Sequence, residues 1–490
     1  MKRIVLMVCL CLFLLSNAAL PVSAAPGQEE IDYAVLDAAV IAQIEKHGLP
    51  GVSLAVVVGD EIVYLQGYGT AGSQPMTPQT QMFIGSQSKS LTALVIAQLA
   101  EQGRIELQAP VQEYIPWFRV ADEAASARIT VNHLLHHTSG LSDAGFDVIL
   151  PADASLEDAT RALAQARLTA PVGKQFQYFN LGYGVLTYLI ELVTGQPYAD
   201  YLQVHVLAPL GMENTTADPS EIQNLSTGHT RLFGFAVPMS QPVRTYEIGA
   251  GYIVSTAEDM ARYALAIKDG AIGLLSPEMY RLLLSPGLGA YGMGWHIVDG
   301  GGKIFHGGAN ETFATHVSIY PKTDRAFVLL INEGHQMDHF ISSDQLMRTV
   351  EAIVLGKTPP PISEGWSMRW IGWGFGLLVL GLLVLHTRNF YTLFHSWKGR
   401  ARQMPSFKLA LDVAISFLIP TVILVVVFSQ IKAFYGMRFN LLPTLVNMRY
   451  VLPDITILML VGSLPDYVQG LIKLMWIVQG RTSQPDRIET

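Results

Sequence analysis

The stretch "FIGSQSKSLTALVIAQLAEQG", residues 83–103, decides how the rest of the chain is read. After Lys89 it runs through Leu91, Leu94, Val95, Ile96 and Leu99 and stops at Gly103, which predicts a helix ended by glycine. Apolar residues fall on nearly every side, so this helix belongs in a core. Yet it opens with Ser86, Ser88 and Lys89. A lysine at the mouth of a buried helix is costly unless it is paired or uncharged. Ser86 and Lys89 are i, i+3 neighbours and share one face. With the helix starting near Ser86, its positive end and burial both disfavour the ammonium form. An uncharged Lys89 is a base for Ser86, and Ser86 becomes a nucleophile. Alone, S-x-x-K is weak, since average residue usage gives roughly one chance match in a chain this long. The competing reading has Ser86 as an N-cap and Lys89 reaching to solvent.

Composition sets the wider frame. Half of the 490 residues are hydrophobic and 15% are charged, well short of the ~25% charged of an ordinary soluble domain. The deficit points to membrane segments. A formal charge of -8, without a basic patch interleaved with aromatics, gives no nucleic-acid surface. The N-terminus "MKRIVLMVCLCLFLLSNAALPVSAAPGQEE" joins Lys2 and Arg3 to an apolar run and small residues at Val22-Ser23-Ala24. Residues 1–25 therefore read as a secretory signal peptide. Both cysteines, Cys9 and Cys11, fall inside it. The mature chain is expected to have neither disulfides nor thiolate chemistry.

A proline-rich linker, residues 356–366, separates an extracytoplasmic domain (26–355) from a hydrophobic tail (367–480). Three helices long enough to cross a bilayer are expected at about 367–387, 410–432 and 450–479, the third interrupted by Asp454, Asp466 and Lys473. Arg388, Lys398, Arg400, Arg402 and Lys408 lie between the first two, with no acidic residue among them. The positive-inside rule places that loop in the cytoplasm and the preceding domain outside, at a cytoplasmic membrane crossed several times. Because Ser86 and Lys89 lie far upstream of the linker, a chain cut at Pro359–Pro361 is expected to fold and to act on a small substrate about as well as the whole, with selective loss on a long-chain acylated one.

Within residues 26–355 the pattern is α/β with an antiparallel sheet. "GVSLAVVVGDEIVYLQGYG" reads as two strands turning at Gly59-Asp60, and "YGMGWHIVDGGGKIFHGG" and "THVSIYPKTDRAFVLLINEG" read as further hairpins. A capping box at Ser255-Thr256-Ala257-Glu258 opens a helix.

Two more boxes follow Ser86–Lys89: Tyr178-Phe179-Asn180 before a helix, and His306-Gly307-Gly308 on a strand. In this order and spacing the chain resembles the serine β-lactamase and penicillin-binding protein superfamily, nearest the class C β-lactamases and related DD-peptidases, esterases and D-amino-acid peptidases. "LLHHTSGL" (134–141) and "GYIVSTAEDMARY" (251–263) resemble that group too. The resemblance implies a class C β-lactamase-like fold with a central antiparallel sheet and a helical lobe, followed here by three transmembrane helices. It implies Ser86 as the acylated nucleophile, Lys89 as its proton acceptor and Tyr178 as a proton shuttle whose phenolate Lys89 favours. Asn180 would hold the acyl-side amide, and the N–H groups of Ser86 and Ala309 would meet the oxyanion. His306 and Gly308 stand where Lys-Thr-Gly is commoner, which makes β-lactam carboxylate binding doubtful. His136 and His137 are read as shaping a turn.

The signal peptide, hydrolase domain and three-helix tail are similar to the D-asparaginyl peptidases that activate prodrugs in nonribosomal peptide pathways, the colibactin-maturing peptidase among them. Asn310 takes the place of a residue contacting the D-asparagine side chain there, whereas Asn180 and Val254 depart from that group's polar residues. The expected activity is hydrolysis of an amide next to a D-amino acid, in a prodrug or a cell-wall peptide, through an acyl-enzyme. The alternatives are a β-lactamase or esterase of the same fold, or a penicillin-binding sensor without turnover. No metal and no cofactor are expected, because no H-E-x-x-H or clustered His/Asp set occurs. Expected partners are a peptide or amide substrate and, through the tail, an exporter or a second copy.

Overall fold

The computed structural model describes residues 30–335, 339–362, 367–435, 448 and 452–482. The signal-peptide assignment lies outside the described residues.

Helix α1 (Tyr33–His47) begins at Asp32, whose carboxylate accepts from the N–H groups of Ala34 and Val35, and ends at Gly48 in the left-handed conformation. Strands β1 (Gly51–Val58) and β2 (Glu61–Gly69) form the hairpin expected at Gly59-Asp60, with Val58 opposite Glu61. Helix α2 (Ser88–Glu101) carries the opening stretch, and helix α3 (Asn180–Thr194) follows the second box. A small hairpin, β3 (His229–Leu232) and β4 (Phe235–Pro238), precedes helix α4 (Ala257–Lys268). Strands β5 (His296–Val298), β6 (Lys303–Ala309), β7 (Ala314–Tyr320) and β8 (Arg325–Ile331) lead to helix α5 (Asp344–Val354).

The six-stranded sheet has the order β2-β1-β8-β7-β6-β5, and every neighbouring pair is antiparallel. Strands β1 and β8 are apolar almost throughout because both faces are covered. Val52, Leu54, Val56, Phe327 and Leu329 pack with Leu36 and Val40 of α1 and Leu346 and Val350 of α5. The alternate residues Ala55, Val57, Val328 and Leu330 face the larger core that holds α2, α3 and α4.

Two local expectations shift. Helix α2 begins two residues after Ser86, because Gly85 at φ 55° first turns the chain through a tight 3₁₀ turn, Gly85–Gln87. The cap of α4 is Thr256, whose side chain accepts from Asp259 N at 3.1 Å. Ser255 stays extended opposite Met82 and spends its hydroxyl on Thr215 at 2.7 Å, so it cannot cap.

The tail forms helices α6 (Met368–Thr392), α7 (Ser406–Tyr435) and α8 (Pro453–Thr482). Among the described residues three helices are long and apolar enough to cross a membrane, with mean hydropathies of 1.8, 2.6 and 1.5. The first runs helically to Gln403, through the basic segment expected as a loop. Leu377, Val384, Leu418 and Leu471 are exposed on their outer faces, an apolar surface that water does not favour. Within the bundle Asp412 pairs with Lys473 at 2.9 Å and accepts from Trp397 Nε1 at 2.8 Å. The packing of His386 on Asp466 and of Phe394 on Trp476 shows α6 and α8 parallel. Asp412 and Thr421 meet Lys473 and Tyr467, so α7 runs opposite to α8. Residues 398–408 thus lie at the end of the bundle away from the hydrolase domain, which touches the starts of α6 and α8.

Candidate active site

Serines and glycines build the turn that presents Ser86. Ser88 Oγ donates to Gly85 O at 2.8 Å and accepts from Ile253 N at 3.2 Å, while Ser90 Oγ donates to Gln87 O at 2.7 Å. Thr315 of β7 ties the turn to the sheet through Ile84 O at 2.8 Å. A Cβ on Gly85 would fall 2.5 Å from Ala309 N, and one on Gly308 would fall 2.1 Å from Ile84 O. Both glycines therefore allow the Ser86 turn to press against the end of β6. This close approach puts Ser86 and Ala309 on one wall of a cleft of about 190 Å³.

Lys89 has no exposed surface. Its Nζ lies 3.1 Å from Ser86 Oγ, 2.5 Å from Ala250 O and 4.8 Å from the centre of the Tyr178 ring. Burial lowers its pKa to about 7, against the opposing pull of Glu247 and Asp143. An amine that is about half uncharged near neutrality, in contact with a hydroxyl, can take that proton. Tyr178 differs from the expectation. Burial pushes its phenol far up, and the contact with Ser86 offsets only part of this. A lysine held near half charge does not supply enough positive potential to keep a phenolate, so Tyr178 stays a phenol.

The segment bearing Tyr178 is held by His137. That residue is left-handed (φ 54°), its carbonyl accepts from Gln177 N at 2.7 Å, and its Nδ1 accepts from Phe179 N at 3.2 Å. Its ring lies 4.3 Å from that of Tyr178. The expected turn is there, and the histidine in it also positions the second box.

Asn180 and Asn310 line the cleft beside Ser86. The Asn180 Oδ1 and both amide atoms of Asn310 have no hydrogen-bond partner. His306 and Gly308 do not border the cleft. His306 is 2% exposed, and its Nε2 meets Tyr291 Oη at 3.1 Å. Burial and the neighbouring His296 and Lys89 hold it well below the ordinary histidine pKa, hence neutral.

The sequence reading missed the far wall. Arg244 pairs with Glu311 at 2.6 Å and donates to Tyr252 Oη. Glu247, Tyr252, Glu311 and Gly334 also line the cleft. Burial raises the Glu247 carboxyl to about 7. Arg244 and Glu247 lie in an irregular segment with neither helical nor strand periodicity, so only their charge in an uncharged neighbourhood marked them.

Residues 36–351, more than half of the chain, match the family described as Beta-lactamase. Protein flp of Staphylococcus aureus (strain MW2) is 28% identical over 320 residues, 61% of this chain and 62% of its own length. The unguisins hydrolase ungD' of Aspergillus campestris (strain IBT 28561) is 27% identical over 325 residues, 60% and 61% of the two chains. The chain thus spans less than two thirds of these relatives. The octameric penicillin-binding protein homologue from Pyrococcus abyssi superposes with a TM-score of 0.58 at 25% identity, over 67% of this chain and 78% of that one. EstCE1, a hydrolase with promiscuous acyltransferase activity, gives 0.59 over 66% and 98%, and at 22% identity that likeness is one of fold. The chain belongs to the β-lactamase family, a family of serine hydrolases.

Proposed function

We propose that the protein is a membrane-anchored amide hydrolase that works through an acyl-enzyme on Ser86, with its catalytic domain outside the cytoplasmic membrane. The observation that carries this reading is Lys89, wholly buried and 3.1 Å from Ser86 Oγ. In the first step Ser86 Oγ attacks the substrate carbonyl carbon while its proton passes to uncharged Lys89. The N–H groups of Ser86 and Ala309 receive the oxyanion. Tyr178 gives its proton to the leaving nitrogen and regains one from the Lys89 ammonium, so the C–N bond breaks without expelling an amide anion and both Lys89 and Tyr178 return to their starting forms. Water then cleaves the ester by the reverse path, returning the hydroxyl to Ser86. Asn180 and Asn310, with unpaired amide groups, suit a polar substituent beside the scissile amide. That fits an N-acyl-D-amino-acid amide, D-asparagine foremost. A neutral, buried His306 offers no cation to a β-lactam carboxylate, which weighs against penicillin as substrate.

The test is a panel of N-acyl amides of D- and L-amino acids, simple esters and penicillin, offered to the full-length protein. Amide cleavage with a D preference is expected. Turnover of esters or penicillin alone would assign the protein to the esterase or β-lactamase reading. Acylation by penicillin without turnover would favour a sensor.

A further inference from the structure

The catalytic domain and the membrane helices are not joined by the linker alone. Asp454, in the first turn of α8, accepts from the backbone N–H of Phe233 at 2.8 Å. Phe233 and Gly234 are the two left-handed turn residues of the β3–β4 hairpin, with φ 50° and 85°. On the same turn, Gly234 lies against the start of α6. A Cβ added to Gly372 would fall 2.0 Å from Gly234 N, and one on Gly234 would fall 2.4 Å from Arg369 O. Two membrane helices thus grip one turn.

The other end of the hairpin reaches the cleft. Arg231 of β3 pairs with Glu333 at 2.7 Å, both side chains 1% exposed. His229 N donates to Asn332 O at 3.0 Å, and Gly334 N donates to His229 O at 2.9 Å. Gly334 lines the cleft and fits so closely that a Cβ there would fall 2.5 Å from Asn310 O and from Phe313 N. The backbone that carries Asn310 and Glu311 is therefore braced, through residues 332–334 and β3, on a turn held by the tail.

We propose that Asp454 is a positioning residue, and that the starts of α6 and α8 set the wall of the cleft formed by Asn310, Glu311 and Gly334. This rests on the amide-hydrolase reading for its kinetic readout. It reverses the expectation that the domain works about as well on a small substrate without its tail. The turn that carries Ser86 is fixed separately, by Ser88, Ile253 and Thr315, and meets the braced segment at Ala309. Weakening the brace should then impair substrate binding while sparing Ser86 reactivity.

The experiment uses the full chain in detergent micelles and compares Asp454→Ala, Asp454→Asn, Gly372→Ala and Gly374→Ala. Asparagine retains an acceptor for Phe233 N–H. Gly374, on the same helix, has open space where a Cβ would stand, so its variant is a control. Asp454→Ala and Gly372→Ala are expected to raise KM for the best amide about tenfold, the scale of leaving one backbone N–H without its acceptor. Their kcat and fluorophosphonate labelling rates should stay within about twofold, and Asp454→Asn and Gly374→Ala should match the parent. Hydrogen exchange at 228–239 and 310–313 should quicken in the two impaired variants, a readout that needs no substrate. If the parent cleaves no amide while that exchange change occurs, the functional reading fails and the brace stands. Unchanged KM and exchange in Asp454→Ala would overturn the proposal. So would a loss of labelling in step with KM, which marks general unfolding.

Discussion

Lys89 Nζ lies 3.1 Å from Ser86 Oγ, and the other hydrogen bond it makes goes to the Ala250 carbonyl at 2.5 Å, so neither partner is a carboxylate. Glu247 and Asp143 act on it through their fields and raise its pKa, while burial lowers it to about 7. The base is the uncharged form. We therefore expect kcat/KM to rise with pH through about 7 and then level, a limb shared with Glu247, which titrates in the same range. Glu247→Gln removes a charge that favours the ammonium, so the limb should move to lower pH. A limb unmoved by Glu247→Gln would contradict this origin.

Burying Lys89 also costs stability. Its folded pKa lies below the ordinary lysine value, so its contribution is present above about pH 10.5 and is lost as pH falls through about 7. Lys89→Met should abolish activity yet raise the unfolding free energy near pH 7 by on the order of 2 kcal/mol. The gap between variant and parent should close as pH rises toward 10.5. Urea unfolding of the two proteins across that range checks both the sign and the window.

Tyr178 is placed to pass protons as a phenol, because burial keeps its hydroxyl protonated. Tyr178→Phe should reduce amide hydrolysis by roughly 10²–10⁴-fold, the range of a lost general acid–base group. Esters with good leaving groups, which need no proton on departure, should lose much less. Equal losses on amide and activated ester would show that the ring matters and the hydroxyl does not.

The sequence disclosed the parts of this site that follow from periodicity and local chemistry. Lys89 stood out because a charged residue opened an all-apolar helix, and β1–β2 because two apolar runs flanked Gly59-Asp60. His306 was legible as a box residue, but its inward direction depends on the register of β6 with β7, in which it faces Val317. Arg244, Glu247 and Glu311 were missed because their meeting is tertiary, with Arg244 and Glu311 some 67 positions apart in sequence yet 2.6 Å apart in space. Asp454 read as an interruption in an apolar span. Its partner is a backbone N–H more than 200 residues upstream, which no local pattern marks.

Helices α6 and α8 run parallel and α7 returns along α8, which places Arg400 far from the hydrolase domain. A reporter fused near Arg400 should be cytoplasmic, and one fused near Lys357 external. Both reporters on one side of the membrane would mean that α6 does not cross it.

The central claim is that Ser86 carries the acyl group. Intact-mass measurement of the full-length protein after brief exposure to its best amide substrate, or to a fluorophosphonate, tests it most directly. The account predicts a single adduct that maps by peptide sequencing to Ser86 and is absent from a folded Ser86→Ala variant. An adduct that persists in Ser86→Ala, or that maps to any other residue, would contradict it.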